Sequence, residues 1–117
     1  MSDDRAHVLD ILLAARTIRQ FVTGVAQEHF LENLEKQSAV LYQFTILGEA
    51  ARRVSLAFRT AHPEVDWTGI LGFRNRIIHE YDDVDLDKVW QIVEIDLPRA
   101  IAALEPLAPE PPEGEQT

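Results

Sequence analysis

Apolar residues recur at helical spacing along most of the chain, and the first such stretch lies at its beginning. Ser2 or Asp3 can cap a helix there, and Thr23-Gly24 can end it, because glycine tolerates the left-handed turn after a helix. The apolar positions between these signals are Val8, Ile11, Leu12, Ala15, Ile18 and Val22. Their spacing predicts a first helix with one face in a core.

A second helical region is predicted from about residue 28 to 61, with one break near Lys36. Its apolar positions alternate between spacings of four and three, as in helices that pack side by side: Val40, Phe44, Leu47, Ala51, Val54 and Phe58. Gly48 lies inside this region, although glycine costs a helix about 1 kcal/mol relative to alanine. We interpret it as a place where two helix backbones come close. Glu49 and Arg53 stand four residues apart, which predicts an exposed ion pair.

Capping residues and prolines mark two further helices. His62-Pro63 ends the second region, because the residue before a proline is pushed out of helical geometry. Asp66 predicts the cap of a third helix over about 67–80, and Asp85 predicts the cap of a fourth. The apolar stripe of the fourth helix consists of Leu86, Trp90, Val93, Leu97, Ile101 and Leu104. Pro98 lies within that stripe and predicts a kink, since the pattern continues past it.

These elements predict an all-α fold, a helix bundle in a single domain. No alternating strand pattern and no internal repeat is visible, and 117 residues are enough for one core but too few for two. We expect the domain to span residues 1–105. Residues 106–117 are rich in proline and glutamate and are expected to form a disordered tail.

The composition excludes several kinds of site. The chain has no cysteine, which rules out disulfides, thiolate zinc sites and a cysteine nucleophile, and which is compatible with a reducing cytoplasm. No stretch approaches the roughly 20 apolar residues of a membrane span, and the N-terminus lacks the pattern of a signal peptide. We therefore expect a cytoplasmic protein without a membrane partner.

The charge is unevenly distributed. The formal net charge of −9 argues against general nucleic-acid affinity, which depends on many Lys and Arg contacts to phosphate. Residues 52–76, however, contain five arginines and two acids, a net charge of +3. Such a local basic patch can still bind a phosphate group, although arginines are also common on helix surfaces.

The run from Arg74 to Tyr81, Arg-Asn-Arg-Ile-Ile-His-Glu-Tyr, carries the residues needed to cut RNA without a metal. That reaction requires a base for the 2′-hydroxyl, an acid for the leaving oxygen, and positive charge against the transition state. Histidine titrates near neutral pH, and arginine presents a charged fork that fits phosphate oxygens. The residues alone leave a simpler interpretation open. His79 could cap the C-terminal end of its helix, and Tyr81 could be a half-buried core aromatic.

Helical geometry predicts that one chain presents a split site. At about 100° per residue, Asn75 and His79 share one face, Arg74 and Tyr81 share another, and His79 lies about 140° from Arg74. Unless the helix unwinds near its end, the two side chains cannot meet within one subunit. A two-fold dimer that brings two copies of this helix together would supply both groups.

The surrounding residues resemble the HepT-like family of HEPN domains. The Arg-x4-His-x-Tyr motif at 74–81 matches the family, and the resemblance covers about residues 4–105. Five further segments agree in order and spacing: Ile46–Ala51, His62–Trp67, Ile70–Asn75, Val84–Trp90 and Asp96–Pro98.

The resemblance implies a four- to five-helix HEPN bundle, a homodimer, and a metal-independent ribonuclease toxin that acts on RNA without a cofactor. It also implies a partner, a nucleotidyltransferase antitoxin of the MntA type. Carried over from the family, Arg74 and His79 are the catalytic residues, Asn75 is the supporting polar residue, and Tyr81 is the residue that the antitoxin adenylylates.

Two other functions remain open at this point. The chain could be a catalytically idle HEPN subunit that binds nucleotide or substrate for a nucleotidyltransferase, or it could be a scaffold. The presence of Arg74, His79 and Tyr81 together favours the ribonuclease. Five acids could suggest a hard-metal site, but we interpret them as caps and a solvated loop that could meet a basic face of the antitoxin: Glu80, Asp82, Asp83, Asp85 and Asp87. Surface or packing roles are expected for the other histidines, His7, His29 and His62.

Overall fold

Helices make up nearly all of the regular structure in the computed structural model, which describes residues 3 to 109. The α-helices are α1 (Asp4–Phe21), α2 (Gln27–Glu32), α3 (Leu34–Arg53), α4 (Leu56–Ala61), α5 (Trp67–Glu80), α6 (Leu86–Gln91) and α7 (Leu97–Leu104). No strand occurs between residues 3 and 109, so the predicted all-α class is confirmed. None of the helices in this part of the chain combines the length and the apolarity that a bilayer crossing requires.

The core lies where α3 packs along both α1 and α5, and α7 closes it against α1. The predicted apolar stripes face this core. Every stripe residue of the first helix is buried, and of the other stripes only Phe58, Leu86 and Ile101 remain partly exposed. Each fully buried aliphatic side chain contributes about 1.5–3 kcal/mol to folding, so these stripes account for the association of the helices.

The predicted caps are present at three helix starts. The carboxylate of Asp3 accepts a hydrogen bond from the amide of Ala6, and that of Asp66 accepts one from Gly69. Asp85 accepts hydrogen bonds from the amides of two residues in the first turn of α6. Ser2, the alternative first cap, lies outside the described residues. Short polar side chains therefore set these helix starts, as the sequence indicates.

The region predicted as one helix with a single break is divided twice. The first break is at Asn33, close to the predicted position, where the Asn33 side chain caps α3. The second break, at Val54–Ser55, was not predicted. Ser55 caps α4 and also donates from its amide and its hydroxyl to the carboxylate of Asp4, both at 2.8 Å. The prediction of an unbroken helix to residue 61 was wrong because this contact joins residues 51 positions apart and leaves no local signal.

The predicted distortion near Pro98 takes the form of a π-helical turn at Ile92–Asp96. The amide of Leu97 donates to the carbonyl of Ile92, and Pro98 has no N–H to give to the carbonyl of Val93. Arg19 from α1 supplies that missing donor, with Nη1 3.1 Å from the Val93 oxygen. The stripe can therefore continue into α7, because the neighbouring helix satisfies the backbone group that proline cannot.

The packed part of the chain extends beyond the predicted end of the domain. Glu105–Leu107 form a 3-10 turn, and Leu107 is buried. Leu107, two residues beyond position 105, thus still packs against the core. Residues 110 to 117 of the predicted tail lie outside the described residues.

The interpretation of Gly48 as a point of close approach is confirmed. A methyl group added at Gly48 would collide with Cβ and Cγ of Arg74 on α5, so only glycine lets α3 and α5 lie this close. Gly72, also in α5, faces open space, with no atom within 4 Å of the position a Cβ would take. Gly48 and Gly72 therefore have different structural roles.

We expect Gly48→Ala to lower the free energy of unfolding by about 1–3 kcal/mol, because the added methyl overpacks the α3–α5 contact. Gly72→Ala is the matched control and should raise that free energy by about 0.5–1 kcal/mol, the usual gain on replacing a helical glycine. Urea denaturation followed by circular dichroism measures both. Equal stabilisation by the two substitutions would show that the helices do not need glycine at position 48.

Candidate functional site

Arg74 lies in the middle of α5, where its guanidinium is held by two partners. Nη2 donates to Oε2 of Glu49 at 2.8 Å, and Nη1 donates to Oδ1 of Asn75 at 3.1 Å. The side chain is only 21% exposed. Nε is buried and has no hydrogen-bond partner in the described part of the chain. Because arginine has five N–H donors, one N–H on each terminal nitrogen remains free for a ligand.

Glu49 contacts three arginines, whereas the sequence predicted a contact with only one of them, Arg53. Besides Arg74, its carboxylate accepts hydrogen bonds from Arg52 at 3.2 and 3.4 Å. The expected ion pair with Arg53 is present, but at 3.7 Å it is the longest of the three. The partner on α5 lies 25 positions away in sequence, so spacing along one helix could not have identified it. Only the glycine at position 48 pointed to a contact at this level of α3.

The electrostatic consequence is that Glu49 stays ionised. The hydrogen bond from Arg52 lowers its pKa most; partial burial opposes this, and the charges of Arg52, Arg74 and Arg53 lower it further. The pKa of Arg52 is raised, chiefly by the same hydrogen bond. Glu49 is therefore an anion at neutral and mildly acidic pH, and its charge is outnumbered by those of the arginines around it.

An open groove of about 560 Å³ runs along α1, α3 and α5, and its charged lining residues are Asp10, Glu49, Arg53 and Arg74. Its lining also includes three apolar side chains that are partly exposed, one from each helix: Leu13, Ile46 and Ile78. The groove thus places a restrained guanidinium beside apolar surface. Chemically, it can hold a phosphate group and pack against a second protein surface.

His79 and Tyr81 stand free of the rest of the described chain. Neither side chain makes a hydrogen bond, an ion pair or a ring contact there; His79 is exposed, and Tyr81 is 69% exposed. Tyr81 is therefore not a core aromatic, and no hydrogen bond from His79 caps α5. The backbone leaves helical geometry at Glu80, with φ −137° and ψ 36°. The predicted common face of Arg74 and Tyr81 therefore does not apply, because Tyr81 lies beyond the end of the regular helix.

The structure brings Arg74 and Asn75 together but does not join either to His79. His79 lies within α5, so the ideal-helix separation of about 140° from Arg74 still holds. No hydrogen bond or ion pair connects them. One chain thus presents the catalytic candidates as two separate groups, a restrained cation and a free imidazole.

The acidic residues after α5 act mainly at helix ends and surfaces. Asp85 caps α6, and Asp87 accepts a hydrogen bond from Gln27 at 3.2 Å. From residue 3 to residue 109, no group of three or more His, Asp or Glu side chains is placed to hold a metal ion. His62 contacts Phe58, with ring centroids 4.4 Å apart, and Nδ1 lies 3.3 Å from Glu64. Asp85 and His62 thus have the cap and packing roles predicted for them.

Comparison with known proteins identifies the family. The family described as Ribonuclease HepT-like matches residues 11–107. A Methanocaldococcus jannaschii protein provisionally named an RNase is 34% identical over 83% of this chain and 89% of its own length. A Thermococcus cleftensis protein provisionally named ribonuclease HepT is 34% identical over 76% of this chain and 81% of its own.

A third relative, from Caldanaerobacter subterraneus and also provisionally named an RNase, is 29% identical over 84% of this chain and 88% of its own length. No solved structure matches the chain significantly. The Arg-x4-His-x-Tyr run, which begins in α5 and ends just after it, falls within the matched region, and so do the groove-lining residues of α3. The chain belongs to the HepT-like ribonuclease family.

Proposed function

We propose that this protein is a metal-independent endoribonuclease toxin whose active site is shared between two copies of the chain. The observation that carries the proposal is the contrast along α5. Arg74 is held at 2.8 and 3.1 Å by Glu49 and Asn75, whereas His79 is exposed and has no internal partner. A restrained cation can stabilise the transition state of metal-free RNA cleavage and a free imidazole can transfer a proton, and in this chain the two need a second copy to meet.

In this mechanism Arg74 and His79 have separate tasks. Arg74 binds the scissile phosphate through its free N–H groups and stabilises the negative charge of the transition state. His79 accepts the proton of the attacking 2′-hydroxyl, and a water molecule gives a proton to the leaving 5′-oxygen. Asn75 assists by fixing one side of the guanidinium. The bond that forms joins the 2′-oxygen to phosphorus and the bond that breaks is the one to the 5′-oxygen, so the products carry a 2′,3′-cyclic phosphate and a 5′-hydroxyl.

The groove supports the dimer. Leu13, Ile46 and Ile78 expose apolar surface around Arg74 on three different helices. In a two-fold dimer the same patch serves both partners, so covering these residues with a second copy would bury them and bring α5 of each chain close to the other. His79 of one chain would then face Arg74 of its partner.

The wild-type protein should cut RNA in excess EDTA and leave 2′,3′-cyclic phosphate ends, whereas Arg74→Ala and His79→Ala should abolish cutting. Each variant removes a group that serves the transition state. His79 is exposed and makes no hydrogen bond, ion pair or ring contact within the described chain, so His79→Ala should melt like wild type. Gel analysis of total RNA and mass spectrometry of the fragment ends measure the outcome.

His29→Ala is the matched control, because His29 is also an exposed helical histidine, on α2. It should cut RNA at the wild-type rate. Loss of wild-type cleavage on chelation, with recovery on adding a divalent ion, would contradict the mechanism, as would full activity of His79→Ala.

Mixing two inactive variants tests the shared site directly. When Arg74→Ala and His79→Ala are mixed and allowed to exchange subunits, half of the dimers are heterodimers. In each heterodimer one composite site contains both substitutions and the other contains neither. About a quarter of the wild-type activity should therefore return. If each chain used its own Arg74 and His79, mixing would restore nothing.

We further propose that an MntA-type nucleotidyltransferase silences the protein by adenylylating Tyr81. The support is accessibility and position: Tyr81 is 69% exposed and lies two residues beyond His79. Its phenol oxygen would attack the α-phosphorus of ATP, form a phosphodiester, and release pyrophosphate and the phenolic proton. The added phosphate would repel the RNA backbone and compete for Arg74.

Tyr81→Phe should keep RNA cleavage and escape silencing by the antitoxin with ATP, because the ring remains and the nucleophilic oxygen is gone. Tyr42→Phe is the matched control, since Tyr42 is 64% exposed on α3, and it should be silenced like wild type. Intact mass and peptide mapping after co-expression locate the adenylyl group. An unmodified Tyr81 in fully inhibited protein would instead indicate that the bound partner blocks the site.

A further inference from the structure

We infer that Glu49 is a positioning residue for catalysis, which sets the direction of the Arg74 guanidinium and leaves its remaining N–H groups free for phosphate. The inference rests on the proposed function, because it assigns to Glu49 an effect on the same reaction. Glu49 lies in the Ile46–Ala51 segment that resembles the family, but nothing in its local sequence assigns it this role. Its contact with Arg74 exists only because α3 and α5 pack together.

The first step of the argument is geometric. Glu49 follows Gly48, the residue that lets the Cβ and Cγ of Arg74 lie against the backbone of α3. The base of the Arg74 side chain is therefore fixed by packing, and its tip is fixed by the 2.8 Å contact with Glu49. The second tip contact, to Asn75, comes from the adjacent residue of the same helix. Of these two contacts, only the one with Glu49 fixes the position of the guanidinium relative to a different helix, α3.

The second step concerns charge. A carboxylate beside a phosphate-binding arginine would normally weaken phosphate binding. Here Arg52 and Arg53 also contact Glu49, and both side chains are largely exposed. These four side chains together carry a net charge of +2, and Asp10, which also lines the groove, lowers it to +1, so the cluster around Arg74 stays positive while Arg74 is held. The extra arginines offset the electrostatic cost of a carboxylate in this position.

The third step separates positioning from simple charge. If Glu49 only repelled RNA, removing its charge would improve binding and leave the chemical step unchanged or faster. If Glu49 orients Arg74, the same change should slow the chemical step, because a guanidinium displaced by about 1 Å can cost 10²-fold in rate. Loss of repulsion would lower KM without lowering kcat, whereas loss of orientation would lower kcat.

The experiment measures RNA cleavage by the full chain at saturating and limiting substrate. Glu49→Gln should lower kcat about 10- to 100-fold with KM unchanged or lower. Glu49→Asp keeps the charge but shortens the side chain by one carbon–carbon bond of about 1.5 Å, beyond hydrogen-bond reach of Arg74. It should lose kcat as well, which an effect of charge alone would not produce.

Glu105→Gln is the matched control for the change of charge, because Glu105 also pairs with an arginine, Arg16, outside the groove. It should cleave RNA like wild type. Wild-type kcat in Glu49→Gln and Glu49→Asp would overturn the inference. Should Glu49→Gln fail to fold, Glu49→Asp decides by the same criterion, since loss of kcat in a folded protein supports positioning and wild-type kcat opposes it.

A spectroscopic readout keeps this test separate from the proposed function. In ¹⁵N spectra, the Arg74 guanidinium of the wild type should show slow rotation and distinct terminal N–H signals, and Glu49→Gln should merge them. Absence of RNA cleavage by the wild type would defeat the proposed function without affecting this measurement. Unchanged Arg74 signals in Glu49→Gln would defeat the inference, whether or not the wild type cuts RNA.

Discussion

The close contact between α3 and α5 at Gly48 determines both how the bundle packs and where its charged groups lie. Without a side chain at Gly48, the stem of Arg74 lies directly on the α3 backbone. The next residue, Glu49, then meets the end of the same arginine at 2.8 Å. A packing constraint and an electrostatic contact thus act on one side chain. A small shift between these helices would change the direction of the guanidinium, because interiors packed at this density transmit displacement.

Within the Arg-x4-His-x-Tyr motif, Arg74 is held by other side chains, whereas His79 and Tyr81 are exposed, and their positions in the helix explain the difference. Arg74 lies in the body of α5, between buried Trp67 and Ile77, where the helix is anchored on both sides. His79 and Tyr81 lie at its C-terminal end, where the backbone leaves helical geometry and few contacts are available. Groups without internal contacts contribute little to the stability of the chain that carries them. Their side chains are therefore available to an RNA, a second subunit or a modifying enzyme without loss of the fold.

The sequence predicted those features that depend on local spacing. The apolar stripes of α1 and α3, the caps at Asp3, Asp66 and Asp85, and the role of Gly48 all follow from residue types at fixed intervals. The features that it missed depend on contacts between distant residues. Ser55 breaks the second helical region because Asp4 reaches it, and Arg19 stabilises the π turn before Pro98 by donating to Val93.

In the candidate site, too, residues at a fixed local spacing could be predicted, and contacts between distant residues could not. Its motif residues were recognisable because Arg74, His79 and Tyr81 follow one another at a characteristic spacing among segments that resemble the family. Glu49 looked like half of a surface ion pair with Arg53, since four residues separate them on α3. Its shorter contact, with Arg74, crosses between helices and cannot be derived from helical periodicity. The distance of a contact partner along the chain, rather than its importance, decided what could be predicted.

The acidity of the whole protein restricts how such a site could bind RNA. Elsewhere in the described chain, cations such as Arg16 and Arg19 are paired with single acids across helices, at 3.1 and 2.9 Å. Among the described residues, only Glu49 shares its carboxylate with three arginines, and with Asp10 also in the groove lining the cluster keeps a small excess of positive charge. A protein of net charge −9 with one such patch can neutralise only a few phosphates. Its affinity for RNA would then depend weakly on salt and strongly on the geometry of those few contacts. The orientation of Arg74 therefore matters more here than it would in a basic nuclease, where many interchangeable phosphate contacts share the task of binding.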